Sequence, residues 1–179
     1  MNPHEKEAFK FCMVCGGEFK TNSDIEKECT KCGYIYFIAS KPCAGGLVIN
    51  EKKEVLLIKR KRNPFKGSLD IPAGFADGSE TLEEALKREM MEEVGLEVNN
   101  YKYFKSAVGD YDYKGIIKKY LCAFFIIKVN SQDYKMMAGD DAESCRFYNI
   151  NEIDMHEIKF ETTRRIIEDL KLDKCLQTL

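Results

Sequence analysis

The sequence of 179 residues lacks the features that would direct it to a membrane, to nucleic acid or to export. No apolar run approaches the roughly 20 residues that a membrane-spanning helix requires. The N-terminal stretch MNPHEKEAFK is polar and acidic, unlike a secretory signal peptide. Lys and Arg number 28 against 30 Asp and Glu, so the formal net charge of -2 creates no field that attracts nucleic acid or a membrane. We therefore expect a cytoplasmic protein without a membrane or nucleic-acid partner.

Tryptophan is absent, and proline and histidine are scarce, with four and two residues. The two histidines, His4 and His156, stand in no motif, so we expect them to be structural. There is neither an internal repeat nor a low-complexity tract, and hydrophobic residues make up 44% of the chain, as in ordinary globular proteins. The length predicts one domain, or one domain with a small appendage.

Cysteine is abundant, with eight residues. Cys12 and Cys15 form one Cys-x2-Cys pair, and after thirteen residues Cys29 and Cys32 form a second. Two such pairs supply the four thiolates of a closed tetrahedral site, which suits structural zinc. We predict a Zn²⁺ ribbon without a catalytic role, with a redox dithiol pair as the alternative. The scattered cysteines are expected to be small buried apolar residues: Cys43, Cys122, Cys145 and Cys175.

The order of predicted elements is that of a layered α/β domain. Residues 1–9 read as a loose polar arm, and the Lys41-Pro42 step predicts a boundary between an N-terminal arm and ribbon, 1–40, and a main domain, 41–179. Apolar periodicity in the main domain predicts strands at 43–50, 54–60, 98–108, 116–129 and 144–149, and helices at 82–94 and 157–171.

The helix at 82–94 has clear end signals. Thr81 and Glu84 form a capping box before its start, and Gly95 supplies a left-handed stop. Its apolar residues recur every four positions and make one stripe that can face a core: Leu82, Leu86, Met90 and Val94.

Three glutamates of this helix, Glu89, Glu92 and Glu93, lie beside the apolar stripe. Crowded and partly shielded carboxylates raise one another's pKa unless a cation joins them. Hard divalent ions such as Mg²⁺ and Mn²⁺ prefer oxygen ligands of this kind. A solvated acidic helix face is the alternative interpretation.

The spacing around these glutamates resembles the Nudix box of MutT-like hydrolases, G-x5-E-x7-R-E-U-x-E-E-x-G-U, where U is a bulky aliphatic residue. Gly74 and Glu80 lead into the run Arg88-Glu89-Met90-x-Glu92-Glu93-x-Gly95-Leu96, so every fixed position is filled. The resemblance extends over residues 41–172. It implies a Nudix fold, an α/β/α sandwich with a mixed sheet, preceded by the small four-cysteine ribbon.

The resemblance also implies a function: Nudix enzymes use metal-activated water to cleave the pyrophosphate bond of a nucleoside diphosphate linked to another moiety. Carried onto this chain, Glu89, Glu92 and Glu93 become Mg²⁺ or Mn²⁺ ligands, and Glu93 is also a candidate base. Glu80 holds an outer metal or orients the helix. Arg88 fixes the carboxylates. The Gly74 carbonyl joins the metal shell, and Ala73 lets substrate approach.

Further substrate-binding candidates lie outside the box. Arg60 ends a strand and could meet phosphate, and Tyr111 or Tyr113 could stack on a base or ribose, although packing within a hairpin is the alternative. An acidic group follows the predicted fourth strand, in a region where many Nudix enzymes carry another acidic residue: Asp140, Asp141 and Glu143.

The substrate is less defined than the reaction. A ribbon ahead of a Nudix domain resembles NADH pyrophosphatases, but their marker S-Q-P-W-P-F-P-x-S is replaced by SAVGDYDYKG, in which only Ser106 agrees. The proline that ADP-ribose pyrophosphatases often carry downstream of the box is absent too. We expect ADP-ribose, NADH or a related dinucleotide, with a nucleoside triphosphate or another nucleotide sugar as alternatives. The family also implies a homodimer, and a catalytically silent nucleotide sensor is the competing function.

Overall fold

The protein is described by a computed structural model that covers residues 2–130, 139 and 142–172. The chain divides into two compact units. The first comprises residues up to 41 together with 110–120, and the second comprises 42–109 together with the chain from 121 onward. The boundary near residue 40 stays a prediction. The segment 110–120, which the sequence pattern assigns to the main domain, groups with the N-terminal residues.

The first unit holds a short helix, α1 (Glu5–Ala8), and a three-stranded antiparallel sheet in the order β1 (Phe19–Thr21), β2 (Glu26–Cys29), β3 (Ile35–Phe37). The prediction of a loose arm at residues 1–9 is wrong. His4 pairs with Ile117 in a parallel bridge, and the Ile117 amide donates to the Pro3 carbonyl at 2.9 Å. These backbone bonds hold the arm in place.

The remaining strands form a seven-stranded sheet with the order β10-β5-β4-β9-β8, in which β6 also pairs with β5, and β7 with β4. Their bounds are β4 (Lys41–Ile49), β5 (Glu54–Arg60), β6 (Leu69–Asp70), β7 (Ala73–Phe75), β8 (Lys102–Tyr113), β9 (Ile116–Lys128) and β10 (Ala142–Asn149). With the helices α2 (Leu82–Val94) and α3 (Glu161–Leu172), they confirm the predicted α/β fold.

The hairpin of β8 and β9 is longer than its sequence pattern predicted. Lys114 and Gly115 form a two-residue turn in which both residues have positive φ, 50° and 84°. Two-residue turns of this kind match the twist of the flanking strands. Strand β8 therefore runs on to Tyr113, whereas the sequence pattern predicts its end near residue 108.

The last helix begins at Glu161, four residues later than its apolar pattern indicated. Ile158 forms a parallel bridge with Leu69, and the Leu69 amide donates to the Glu157 carbonyl at 3.0 Å. The backbone before Phe160 is committed to the sheet and cannot take helical dihedrals. Phe160 is nevertheless buried.

The core of the second unit lies between α2 and the sheet. Leu86, Met90 and Val94 are fully buried and pack in one cluster with strand residues that include Ile58 and Phe125. This arrangement confirms the apolar stripe read from the sequence and fixes which side of α2 carries the glutamates. No helix in the described part of the chain is long and apolar enough to cross a membrane.

We predict that Leu86→Ala lowers the free energy of unfolding by about 2 to 5 kcal/mol, because it removes a fully buried side chain and leaves a cavity. Met91→Ala on the same helix is the matched control, since Met91 is 50% exposed, and it should cost less than about 1 kcal/mol. Urea unfolding of both variants measures the difference. Equal losses would contradict the assignment of the buried face.

Candidate active site and metal centre

Helix α2 begins and ends where the sequence predicted. The Glu84 amide donates to Thr81 Oγ1 at 3.2 Å, and the Thr81 amide donates to Glu84 Oε2 at 2.8 Å, which completes the capping box. Gly95 has φ 71°, and its amide donates to the carbonyls of Met90 and Met91. Both ends of the helix are therefore fixed, and with them the positions of the residues in its last two turns.

Arg88 ties the acidic residues of the site together. Its guanidinium bonds both oxygens of Glu80, at 2.7 and 2.8 Å, and also reaches Glu89 at 2.6 Å and Glu92 at 3.2 Å. A further N–H donates to the Phe75 carbonyl at 2.9 Å. The hydrogen bonds from Arg88 lower the pKa of Glu80 to about 2, so Glu80 stays ionised. Arg88 thus anchors the loop before the helix to the helix itself.

Glu93 is the most buried glutamate of the three, with 8% of its surface exposed. Its Oε2 accepts a hydrogen bond from the Ala73 amide at 2.9 Å. Burial, followed by the nearby charges of Glu89 and Asp70, raises the pKa of Glu93 to about 9. A carboxyl group in this position binds a proton near neutral pH unless a cation replaces the proton.

Glu89 lies directly against the backbone of Gly74. A Cβ atom at position 74 would stand 2.0 Å from Glu89 Oε1, so only glycine leaves room for the carboxylate. Burial raises the pKa of Glu89, and the bond from Arg88 opposes that shift. Glu92 differs, because 59% of its side chain is exposed. The structure therefore brings Gly74, Glu89, Ala73 and Glu93 together, with Glu92 at the solvent side.

These residues fit a hard divalent cation. The donors are carboxylate oxygens, two of the three carboxylates are shielded from water, and glycine at position 74 keeps its backbone open beside them. Their oxygens are not drawn together as tightly as the cysteine sulfurs, which form the single group of potential ligands within 4.8 Å of one another among the described residues. Arg88 instead forms ion pairs with Glu89 and Glu92, and these pairs offset part of the negative charge of the glutamates.

Sequence reasoning missed a buried polar network beside Glu93. Asp70, 7% exposed, accepts hydrogen bonds from Thr163 Oγ1 at 2.6 Å and Arg60 Nη1 at 3.0 Å. Arg60 also donates to the Pro64 carbonyl at 2.9 Å, and its guanidinium lies 5.0 Å from the ring centre of Phe160. The predicted phosphate-binding role of Arg60 stays a prediction, since these contacts engage it internally. The signal available was a charged Asp70 between the apolar residues Leu69 and Ile71.

The other predicted substrate residues lie on other elements of the fold. Tyr111 and Tyr113 lie at the end of β8, in the segment that belongs to the first unit, and the Tyr113 ring is 5.6 Å from Lys114 Nζ. Glu143 lies at the start of β10 and pairs with Lys59 at 3.3 Å. Asp140 and Asp141 lie outside the described residues.

The four cysteines of the first unit form the cluster that their spacing predicted. All four sulfurs lie within 4.8 Å of one another, with Cys12 and Cys32 at 3.8 Å and Cys15 and Cys29 at 3.5 Å. A tetrahedral zinc site with Zn–S bonds of about 2.3 Å requires sulfur separations of about 3.8 Å. The sulfurs therefore fit one ion and are unsuited to an open, catalytic metal.

Backbone amides favour the thiolate form of Cys29, which is the form that binds a metal. The Cys32 and Lys31 amides donate to Cys29 Sγ at 3.5 and 3.4 Å, and the bond from Cys32 contributes most to lowering the pKa of Cys29 to about 6. A Cβ atom on Gly17 would stand 2.7 Å from the Lys31 side chain and 3.1 Å from Cys29 Sγ. Of the scattered cysteines, Cys43 and Cys122 are buried and Cys145 is half-buried, whereas Cys175 lies outside the described residues.

We predict about one zinc ion per chain, a value that follows from the single four-sulfur cluster. Cys29→Ser should remove the metal and unfold the small sheet, because that sheet has few buried residues to hold it. The matched control is Cys145→Ser, which should retain the full zinc content. Elemental analysis of purified protein, with circular dichroism of each variant, provides the measurement; substantially less zinc in the parent protein would refute the site.

A second prediction concerns pH. In protein dialysed free of Mg²⁺ and Mn²⁺, Glu93 has a pKa of about 9, above the unfolded value of about 4.3. The folded state then binds more protons between these values, so stability falls as pH rises from about 5 to 9. Glu93→Gln removes this loss and should melt at a higher temperature than the parent at pH 8 to 9 but not at pH 5.

Thermal unfolding followed by circular dichroism across that pH range measures the effect. Glu83→Gln is the control, since Glu83 lies on the same helix but is exposed, and its melting curve should follow that of the parent protein. Parallel pH profiles for the parent and Glu93→Gln would contradict a proton held at Glu93.

Comparison with known proteins places this site in a family. The sequence model of the NUDIX domain matches residues 39–170. A protein of Methanocaldococcus jannaschii named ADP-ribose pyrophosphatase is 39% identical over 111 residues, which cover 59% of this chain and 60% of that protein. The NAD-capped RNA hydrolase NudC of Vibrio parahaemolyticus is 32% identical over 104 residues, which cover 58% of this chain and 39% of NudC.

The chain thus spans less than two thirds of the length of these two relatives. Among solved structures, the crystal structure of a NUDIX hydrolase from Nitrosomonas europaea superposes with a TM-score of 0.61 and 25% identity, covering 92% of this chain and 93% of that one. The fold, the filled box around Arg88 and the match over residues 39–170 agree: the chain belongs to the NUDIX domain family.

Proposed function

We propose that the chain is a hydrolase that cleaves the pyrophosphate bond of a nucleoside diphosphate linked to another moiety. The observation that carries the proposal is the pair of shielded carboxylates, Glu89 against Gly74 and Glu93 on the Ala73 amide. Burial raises the pKa of both carboxylates, so a bound cation would favour their ionised forms. A diphosphate substrate is itself repelled by carboxylates unless cations lie between them.

The position of each residue indicates the role that we propose for it. Glu89, Glu92 and Glu93 would hold Mg²⁺ or Mn²⁺ with the Gly74 carbonyl, and the bound ion would lower the pKa of water and neutralise phosphate charge. Glu93, which carries a proton without metal, must release it when an ion binds. In the loaded site its buried oxygen is then a candidate to accept the proton of the attacking water.

Arg88 acts through other residues. Its bonds to Glu80 and to the Phe75 carbonyl hold the loop that carries Gly74 beside the helix. Its bonds to Glu89 and Glu92 aim those carboxylates and lower their mutual repulsion. Both oxygens of Glu80 accept hydrogen bonds from Arg88, and Oε2 also accepts one from the Asp77 amide at 2.9 Å. We therefore propose that Glu80 orients the helix rather than binds the metal.

The substrate class we propose is ADP-ribose, NADH or a related dinucleotide. The names of the two relatives support it, since one is an ADP-ribose pyrophosphatase and the other an NAD-capped RNA hydrolase. Both substrates named contain an adenosine diphosphate joined through phosphate to a second group. We also infer Zn²⁺ at the four cysteines, on the sulfur geometry, and a homodimer, on the family resemblance alone.

The activity is tested with a nucleotide panel at neutral pH in the presence of Mg²⁺ or Mn²⁺. We expect release of AMP from ADP-ribose or NADH, and a loss of at least a hundredfold in kcat for Glu93→Gln, because one metal ligand and the candidate base are removed together. Binding of a nucleotide without hydrolysis of any member of the panel would favour the silent sensor instead.

Two glycine variants separate a specific defect from a general one. Gly74→Ala forces a methyl group into the space of the Glu89 carboxylate and should lower activity and Mn²⁺ affinity at least tenfold. Gly78→Ala is the matched control, because a Cβ at position 78 meets nothing within 4 Å, and its activity should stay within twofold of the parent. Mn²⁺ affinity is read by electron paramagnetic resonance, which does not depend on turnover.

A further inference from the structure

A cavity lies in the unit formed by residues 42–109 and the chain from 121 onward. Its volume is about 780 Å³. Its walls come from the end of β5 at Lys59, the loop 65–69, the outer part of β10, and the segment 156–159 that precedes α3. None of these wall residues belongs to the box that carries the glutamates.

This cavity opens on the face of the sheet that turns away from α2. In β10, Cys145 and Phe147 pack against the core cluster that contains Leu86 of α2. Successive side chains of a strand point to opposite faces, so Arg146 and Tyr148, which line the cavity, point away from α2. Lys59 follows Ile58, which is buried in the same cluster, so the Lys59 side chain also points away from α2. A ligand in the cavity is therefore separated from Glu89 and Glu93 by the sheet.

The cavity gathers positive charge in a chain whose net charge is -2. Four cations line it against one carboxylate, that of Glu157: Lys59, Lys66, Arg146 and Lys159. Lys59 pairs with Glu143, but the other three cations form no ion pair with any residue in the described part of the chain. Clustered cations that outnumber the nearby carboxylates attract an anion, and both lysine and arginine bind phosphate oxygens.

Two aromatic rings accompany these cations. Phe65 stays 45% exposed, and its backbone has φ 60°, a conformation that bulky residues rarely adopt. Its ring stands edge-on to Phe160 at 5.0 Å, which fixes its orientation. Tyr148 carries the Arg146 guanidinium over its face at 4.5 Å. Planar groups of this kind stack on nucleic-acid bases.

We propose that this cavity is a second binding site, which takes the phosphate and base of a nucleotide without hydrolysing it. A volume of about 780 Å³ lies within the range of about 300 to 1,000 Å³ that is typical of small-molecule sites. The nucleotide can be free or can be the terminal residue of an RNA strand, because both present the same phosphate and base. The site does not depend on the hydrolytic activity proposed above.

The test uses AMP, which has no pyrophosphate bond, with the full chain in the absence of Mg²⁺ and Mn²⁺ and at low salt. We expect calorimetry to detect AMP binding and the double variant Arg146→Gln/Lys159→Gln to weaken it at least tenfold. The matched control Lys52→Gln/Lys128→Gln removes the same charge from exposed positions outside the cavity and should bind within twofold of the parent.

Further arms separate this site from the glutamate site and identify the ligand. Glu93→Gln should bind AMP as the parent does; loss of binding in that variant, with retention in the Arg146/Lys159 variant, would overturn the proposal. Inorganic phosphate binding as tightly as AMP would overturn the role of the base. A 5′-phosphorylated adenylate pentanucleotide that binds at least tenfold more tightly than AMP identifies an RNA end as the source, and equal affinity identifies the free nucleotide.

Discussion

The site depends on one guanidinium. Arg88 contacts three carboxylates and one backbone carbonyl, and without it the charges of Glu80, Glu89 and Glu92 would repel one another at close range. Its planar fork gives several directed hydrogen bonds at once, whereas lysine would offer a single point charge. Arg88 thereby converts an acidic cluster that opposes folding into a rigid scaffold, and it leaves the buried Glu93 outside its reach.

The environment of Glu93 shifts its pKa in the opposite direction to that of Glu80. Within the described part of the chain, its carboxylate accepts a hydrogen bond from the Ala73 amide. Burial and the charges of Glu89 and Asp70 outweigh this bond and the opposing charge of Arg60. The chain accepts a carboxyl group whose ionised form is strongly disfavoured, and only a cation that binds nearby can reverse this. The contrast between a compensated Glu80 and an uncompensated Glu93, thirteen residues apart, is a physical reason to regard the latter as the reactive member of the set.

Sequence patterns predicted α2, its caps, the cysteine cluster and most strands, because each is set by local spacing: a repeat of four, a capping box, two Cys-x2-Cys pairs. They failed where the partner is distant along the chain. The arm at residues 1–9 is ordered by Ile117, and α3 starts late because Ile158 pairs with Leu69. Asp70 and Thr163 are 93 residues apart, so no local pattern could reveal that they join Arg60 in one network.

The two faces of the large sheet lie beside groups of opposite charge. Alternation along β10 sends Cys145 and Phe147 to the face covered by α2, and sends Arg146 and Tyr148 to the other face. We propose a cation for the carboxylates beside the core and an anion for the cations of the opposite cavity. Because side chains alternate along a strand, the carboxylates and the cations lie on opposite faces of the sheet. They therefore do not neutralise one another by forming ion pairs. In this proposal a nearly neutral chain binds metal ions on one face of the sheet and phosphate on the other.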